Sequence, residues 1–296
     1  MAFETRATIA SFGGTLLKLT HQSTTTGTPM NLNLYLPPTV AKDSNNNNKK
    51  VPVLIWLSGL TCTPDNATEK AFFQHAASRH NIAIAYPDTS PRGLDLPGEK
   101  DSWDFGEAAS FYLDATRAPF DRNYRMETYL TVELPDVLFG AAGYGDRLDR
   151  SRVSIAGHSM GGHGALTLYL RHPGLYRSVS AFAPIANPVN CPWGQKAFAG
   201  YLGGEDSDKS EWARHDATEL VRGWEGGPLN ALVDVGTGDN FYKQGQLLPE
   251  NLEAAVKEAG LEGLTLRYQE GYDHSYFFMA SFSDDHIAHA AKFLGA

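Results

Sequence analysis

Ser154-Ile155-Ala156-Gly157-His158-Ser159-Met160-Gly161-Gly162-His163-Gly164 joins a short apolar run to a glycine-rich turn. The run 152–156 reads as a strand. The stretch 165–170 after the turn, Ala-Leu-Thr-Leu-Tyr-Leu, reads as a helix that must end before Pro173. Between them stands Gly157-x-Ser159-x-Gly161. A serine on a sharp strand-to-helix turn projects its hydroxyl off the sheet edge. Glycines on either side let the backbone turn and leave room for a substrate.

This strand–elbow–helix unit predicts an α/β-hydrolase fold, a mostly parallel central sheet with helices on both faces. The remaining chain agrees. Val51–Leu57 is nearly all apolar and reads as a buried central strand. Further strands are expected at 82–86, 178–183, 231–235 and 264–268. Helices are expected at 67–79, 126–139 (despite Pro135), 250–259 and 275–294. Residues 5–20 and 30–37 read as two strands of an antiparallel entry hairpin. The asparagine-rich run 43–50 reads as a solvated loop. The long irregular stretch 87–104 is of the kind that carries function. No linker divides the chain, so all 296 residues are expected to form one domain, with 184–227 as a lid-like excursion.

Composition narrows the function. The formal charge is -9, which argues against a nucleic-acid partner. No apolar run is long enough to span a membrane, and no basic-then-apolar leader opens the sequence. A cytoplasmic protein is expected. Two cysteines, Cys62 and Cys191, make no disulfide framework. His158 and His163 lack a His-Glu-x-x-His frame, and Gly161–Gly164 lacks the Lys-Ser/Thr of a phosphate loop. No metal and no cofactor is expected.

A serine hydroxyl needs a base, and the base needs an orienting acid; in this fold they follow in the order Ser, Asp or Glu, His. Downstream of the elbow helix lie His215, His274, His286 and His289. Only His274 directly follows the last strand, where a base reaches over the carboxyl edge of the sheet. His286 and His289 fall inside the terminal helix and read as surface or packing residues. For the acid, Asp234, Asp239 and Asp273 compete. Asp234 lies within a strand and Asp273 adjoins His274. Asp239 follows the strand in a loop, where active sites of open sheets are built, so Asp239 is expected. Its local alternative is an Asx turn. The oxyanion donors are expected to be the backbone N–H groups of Met160 and of Leu60, the latter in the Leu57-Ser58-Gly59-Leu60-Thr61-Cys62-Thr63 loop.

At this point the chain resembles the S-formylglutathione hydrolase (esterase D) family. The resemblance rests on Leu57–Thr63, Asn123-Tyr124-Arg125-Met126, Gly157–Ala165, Ser180–Ile185, Pro192-Trp193-Gly194 and Gly271–Tyr276, in that order. It implies a serine thioesterase that hydrolyses S-formylglutathione to glutathione and formate, with side activity on short-chain carboxylesters. It implies a homodimer, the triad Ser159, Asp239 and His274, and oxyanion donors at Leu60 and Met160. It also suggests that Cys62 is a redox-sensitive thiol, where the residues alone leave an inert buried thiol equally open. Trp193, Lys196 and Phe198 fall where a pocket or its packing would be. The sequence leaves a general carboxylesterase open.

Overall fold

Val51–Leu57 is buried at every position, as a strand covered on both faces must be. It is β4 of a nine-stranded sheet in the computed structural model, which describes residues 2–41, 50–204 and 209–296. In chain order the strands are β1 (Glu4–Ser11), β2 (Gly14–Gln22), β3 (Pro29–Leu36), β4 (Val51–Leu57), β5 (Ala83–Pro87), β6 (Leu148–His158), β7 (Val179–Phe182), β8 (Ala231–Gly236) and β9 (Leu264–Gln269). Across the sheet they run β1-β2-β3-β5-β4-β6-β7-β8-β9. The pairings from β1 to β5 through β3 are antiparallel, and those from β5 onward are parallel. Helices pack around this mostly parallel sheet, as the α/β-hydrolase fold requires.

The helix Met160–Arg171 is buried through Leu170 and packs on β6 and β7. Its glycines serve that approach: a Cβ on Gly164 would stand 2.6 Å from the Tyr112 ring. Ser283–Leu294 packs on the helix Phe73–His80. Beneath them Trp56, Phe73 and Phe182 meet ring to ring, Trp56 and Phe73 at 4.3 Å. From β4 the chain moves outward to β5, then returns to β6 on the far side of β4. Loops leaving the carboxyl ends of β4 and β6 therefore diverge, and a crevice opens between them.

Several expected elements divide, each for a local reason. Residues 5–20 are not one strand: Phe12 and Gly13 both take positive φ, turning β1 into β2, so the entry is a three-stranded meander. The helix expected at 67–79 is two, Pro64–Lys70 and Phe73–His80, separated by Phe72 at φ 57°. The helix over 126–139 widens to a π turn at Tyr129–Glu133, where Pro135 can neither donate to nor pack closely on the preceding turn. The terminal helix breaks at Phe282, whose ring packs against Tyr272 and Phe278. The asparagine-rich run lies outside the described residues, except for Lys50.

Candidate active site

β6 delivers its last residue, His158, to the sheet edge, and Ser159 turns the chain into the helix Met160–Arg171. Ser159 has φ 57° and ψ −121°, a conformation that costs a side-chain-bearing residue of order 1–3 kcal/mol. The fold holds it there: its N–H donates to Phe182 O at 2.9 Å and its C=O accepts from His163 N at 3.0 Å. Gly157 and Gly161 are needed for space. A Cβ at Gly157 would stand 2.1 Å from Gly161 O, and one at Gly161 would stand 2.0 Å from Leu57 O.

The other expected residues converge from separate loops. Asp239, fully buried, follows β8 and caps the short helix Asn240–Lys243. Its two oxygens divide the work. Oδ1 accepts from Phe241 N (2.7 Å) and Tyr242 N (3.4 Å), while Oδ2 lies 2.5 Å from His274 Nδ1. The Asx-type turn and the His partnership thus coexist in one carboxylate. An ionised carboxylate only accepts, so in the neutral ring the proton belongs on Nδ1 and the lone pair on Nε2. The His274 ring is braced by Phe241, edge-on at 4.9 Å, and by His158 at 4.4 Å. Burial, then the neighbouring His274, pushes His158 well below the ordinary imidazole range, so the brace is uncharged.

The loop after β4 lies directly against the elbow: a Cβ on Gly59 would come within 3.1 Å of Ser159 Cβ. Its carbonyls are pinned from outside. Tyr112 Oη donates to Ser58 O (2.7 Å), and Thr89 Oγ1 and Arg92 Nη2 donate to Cys62 O (2.6 and 2.9 Å). Arg92 is in turn held by the buried Asp88 at 2.8 Å. Thr61, at φ 68°, donates to Ala108 O, and Cys62 N donates to Gly59 O. The Leu60 amide takes part in neither of those bonds. The Met160 amide opens its helix, where an N–H has no intrahelical acceptor.

Ser159 and His274 share a cleft of about 180 Å³ with Leu60, Cys62, Trp103, Trp193, Phe241 and Tyr276. Trp103, Trp193 and Phe241 form a continuous aromatic wall, with centroids 5.6 and 4.7 Å apart. Trp193 comes from the 184–227 stretch, whose described part is tied down by Asp216 accepting from Asn187 Nδ2 and Val189 N. Cys62 Sγ is 3.4 Å from Tyr276 Oη, and burial pushes its thiol up. Cys191 is buried at a helix N-cap, its thiol pushed by burial up to about 12. Lys196 reaches away to Ser102 and Asp104, and Phe198 is core.

The competing acids and bases are engaged elsewhere. Asp234 is fully buried and takes Arg267 Nε and Nη2 at 2.7 and 2.6 Å, with His286 Nε2 at 3.1 Å. Burial works upward on this carboxyl, but His286 and Arg267 outweigh it and hold it at about 2. His286 is therefore a buried partner of Asp234, stacked 3.6 Å from the Phe182 ring, and not a surface residue. His289 Nε2 pairs with Asn230 O, His215 lies between Glu127 and Glu211, and Asp273 accepts from Ser275 N. Among the described residues no cluster of three or more potential metal ligands occurs. The sequence reading missed Trp103, Phe241, Tyr276 and the His158 brace. The signals were indirect: Trp103 lies in the irregular stretch 87–104, Tyr276 ends the Gly271–Tyr276 segment and His158 stands inside the elbow motif, while Phe241 had none.

Fold and cleft together define a hydrolase of the α/β-hydrolase class, and the Esterase family model matches residues 23–289. Among curated proteins the chain is 49% identical to the mouse S-formylglutathione hydrolase over all of both chains. It is 49% identical to the Arabidopsis thaliana enzyme over 96% of this chain and 95% of that one. A solved S-formylglutathione hydrolase from Agrobacterium tumefaciens superposes with a TM-score of 0.88, at 40% identity and full coverage of both chains. The chain belongs to the S-formylglutathione hydrolase family.

Proposed function

We propose that this chain hydrolyses S-formylglutathione to glutathione and formate through Ser159, His274 and Asp239. The observation that carries the reading is the Asp239–His274 bond, set in one cleft with a serine on a strained elbow. His274 Nε2 takes the Ser159 hydroxyl proton as Oγ bonds to the formyl carbon. The carbonyl electron pair moves to oxygen, where the Leu60 and Met160 amides receive it; each such donor is worth roughly 10²–10³ in turnover. Collapse breaks the C–S bond, and His274 returns the proton to the leaving sulfur. Water, deprotonated by His274, then attacks formyl-Ser159; the acyl C–Oγ bond breaks, His274 returns the proton to Oγ, and formate leaves. Asp239 fixes the tautomer and stabilises the imidazolium.

The aromatic wall confines the acyl group, so side activity should be limited to short-chain esters. A steady-state assay tests the reading. The specificity constant for S-formylglutathione is expected to exceed that for p-nitrophenyl acetate by about 100-fold or more. A preference for the neutral ester would make the chain a general carboxylesterase.

Cys62 supports a further part of this reading. Its sulfur lines the cleft, so an adduct there obstructs acyl entry. A maleimide should inactivate the enzyme, faster as pH rises, because the thiolate is the nucleophile and burial holds the thiol protonated. Cys62→Ala should resist. Equal inactivation of variant and wild type would move the effect elsewhere.

We also propose one domain across 1–296, acting as a cytoplasmic homodimer, as the family resemblance implies. Among the described residues no helix is long and apolar enough to cross a membrane. A sedimentation mass of one chain would remove the dimer.

A further inference from the structure

The leaving group poses a problem of charge. Glutathione carries two carboxylates and one ammonium, whereas the chain carries a formal -9. The cleft, at about 180 Å³, is also smaller than the roughly 300–1,000 Å³ typical of sites that enclose a small molecule. The tripeptide must therefore run out over the rim, where a cation free to meet a carboxylate is needed.

The cations around the rim differ in their freedom. On the aromatic side Lys196 is paired with Asp104 and bonded to Ser102. Behind the loop after β4, Arg92 is balanced by Asp88 at 2.8 Å and Glu107 at 3.7 Å. Lys70 is different. It ends the helix Pro64–Lys70, is exposed, and pairs with no carboxylate among the described residues. The acids of its own helix, Asp65 and Glu69, both face Lys18, at 2.8 and 3.1 Å. Lys70 Nζ stands 5.6 Å from the centroid of the Tyr276 ring, which lines the cleft and touches Cys62 Sγ through its hydroxyl.

We infer that Lys70, seated over Tyr276 at the rim, receives a carboxylate of the peptidic thiol leaving group and so selects anionic thioesters over neutral esters. The inference rests on the proposed function above. It makes Lys70 a specificity residue, acting on substrate capture and not on the acyl-transfer steps. An exposed pair of this kind is modest in strength and screened by salt.

The test is the ratio of kcat/KM for S-formylglutathione to that for p-nitrophenyl acetate. Lys70→Met should lower the ratio about 3-fold and Lys70→Glu about 10-fold, mostly through KM, with Lys70→Arg restoring it. Product inhibition by glutathione should weaken in Lys70→Glu more than inhibition by its diethyl ester. Raising the salt concentration should shrink the wild-type ratio towards that of Lys70→Met. A ratio unmoved by both Met and Glu overturns the inference. If wild type fails to hydrolyse S-formylglutathione at all, the earlier reading is what falls.

Discussion

Ser159→Ala is expected to lower kcat on S-formylglutathione by about 10⁴–10⁶ while leaving the protein folded. The hydroxyl is the only atom lost. The Cβ that packs against Gly59 remains, and the backbone hydrogen bonds that hold the elbow do not involve the side chain. The circular dichroism spectrum and melting temperature should therefore stay close to wild type. Mass spectrometry of quenched turnover should find the formyl adduct in wild type alone, and a fluorophosphonate should label wild type alone. Near-wild-type turnover in the variant would remove the proposed mechanism.

Two aspartates on one strand and its loop give the second large effect, because they should fail in opposite ways. Asp239→Asn should reduce kcat by about 10⁴ with little loss of stability. The amide oxygen can still accept from Phe241 N and Tyr242 N. Its NH₂ then faces His274 Nδ1 and forces the ring proton to Nε2, where no lone pair remains to take the serine proton. Asp234→Asn should keep turnover within about tenfold of wild type. It should instead cost about 1–3 kcal/mol of stability, the Arg267 end of the pair being partly exposed.

The pH dependence separates them further. The Asp234 carboxyl is held at about 2, below its unfolded value near 3.9, so its contribution is full above about pH 4. It disappears as pH falls towards 2. Wild type should lose stability across that window, and Asp234→Asn should lose less. The reverse pattern of kinetic and thermal effects would exchange the roles of the two acids.

Much of the candidate site could be read from the chain because its residues sit at strand ends. Val51–Leu57 is apolar throughout, and Ala231–Gly236 apolar but for Asp234, because both faces are buried, which locates the edges where loops begin. The order Ser159, Asp239, His274 then follows from the fold. What escaped was set by contacts between distant segments. Phe72 looks like an ordinary helical residue, yet a left-handed φ there splits a helix in two. His286 sits on an amphipathic helix, and nothing local announces Asp234 as its partner. Trp103 and Phe241 lie well over a hundred residues apart and meet only across the cleft. Asp239 was legible as a partner of His274 and, alternatively, as an Asx-turn residue; that one carboxylate does both was not.

The elbow conformation sets folding and chemistry against each other at one residue. The backbone at Ser159, φ 57° and ψ −121°, suits glycine better than any residue with a side chain. Glycine would relax the turn, so the change that abolishes the nucleophile is also the one the local backbone favours. A library of this protein sorted only for resistance to heat should therefore drift towards glycine at position 159 and return well-folded, inert molecules. On the proposed mechanism turnover requires a serine in that geometry, so screens for improved variants need an activity gate alongside the thermal one.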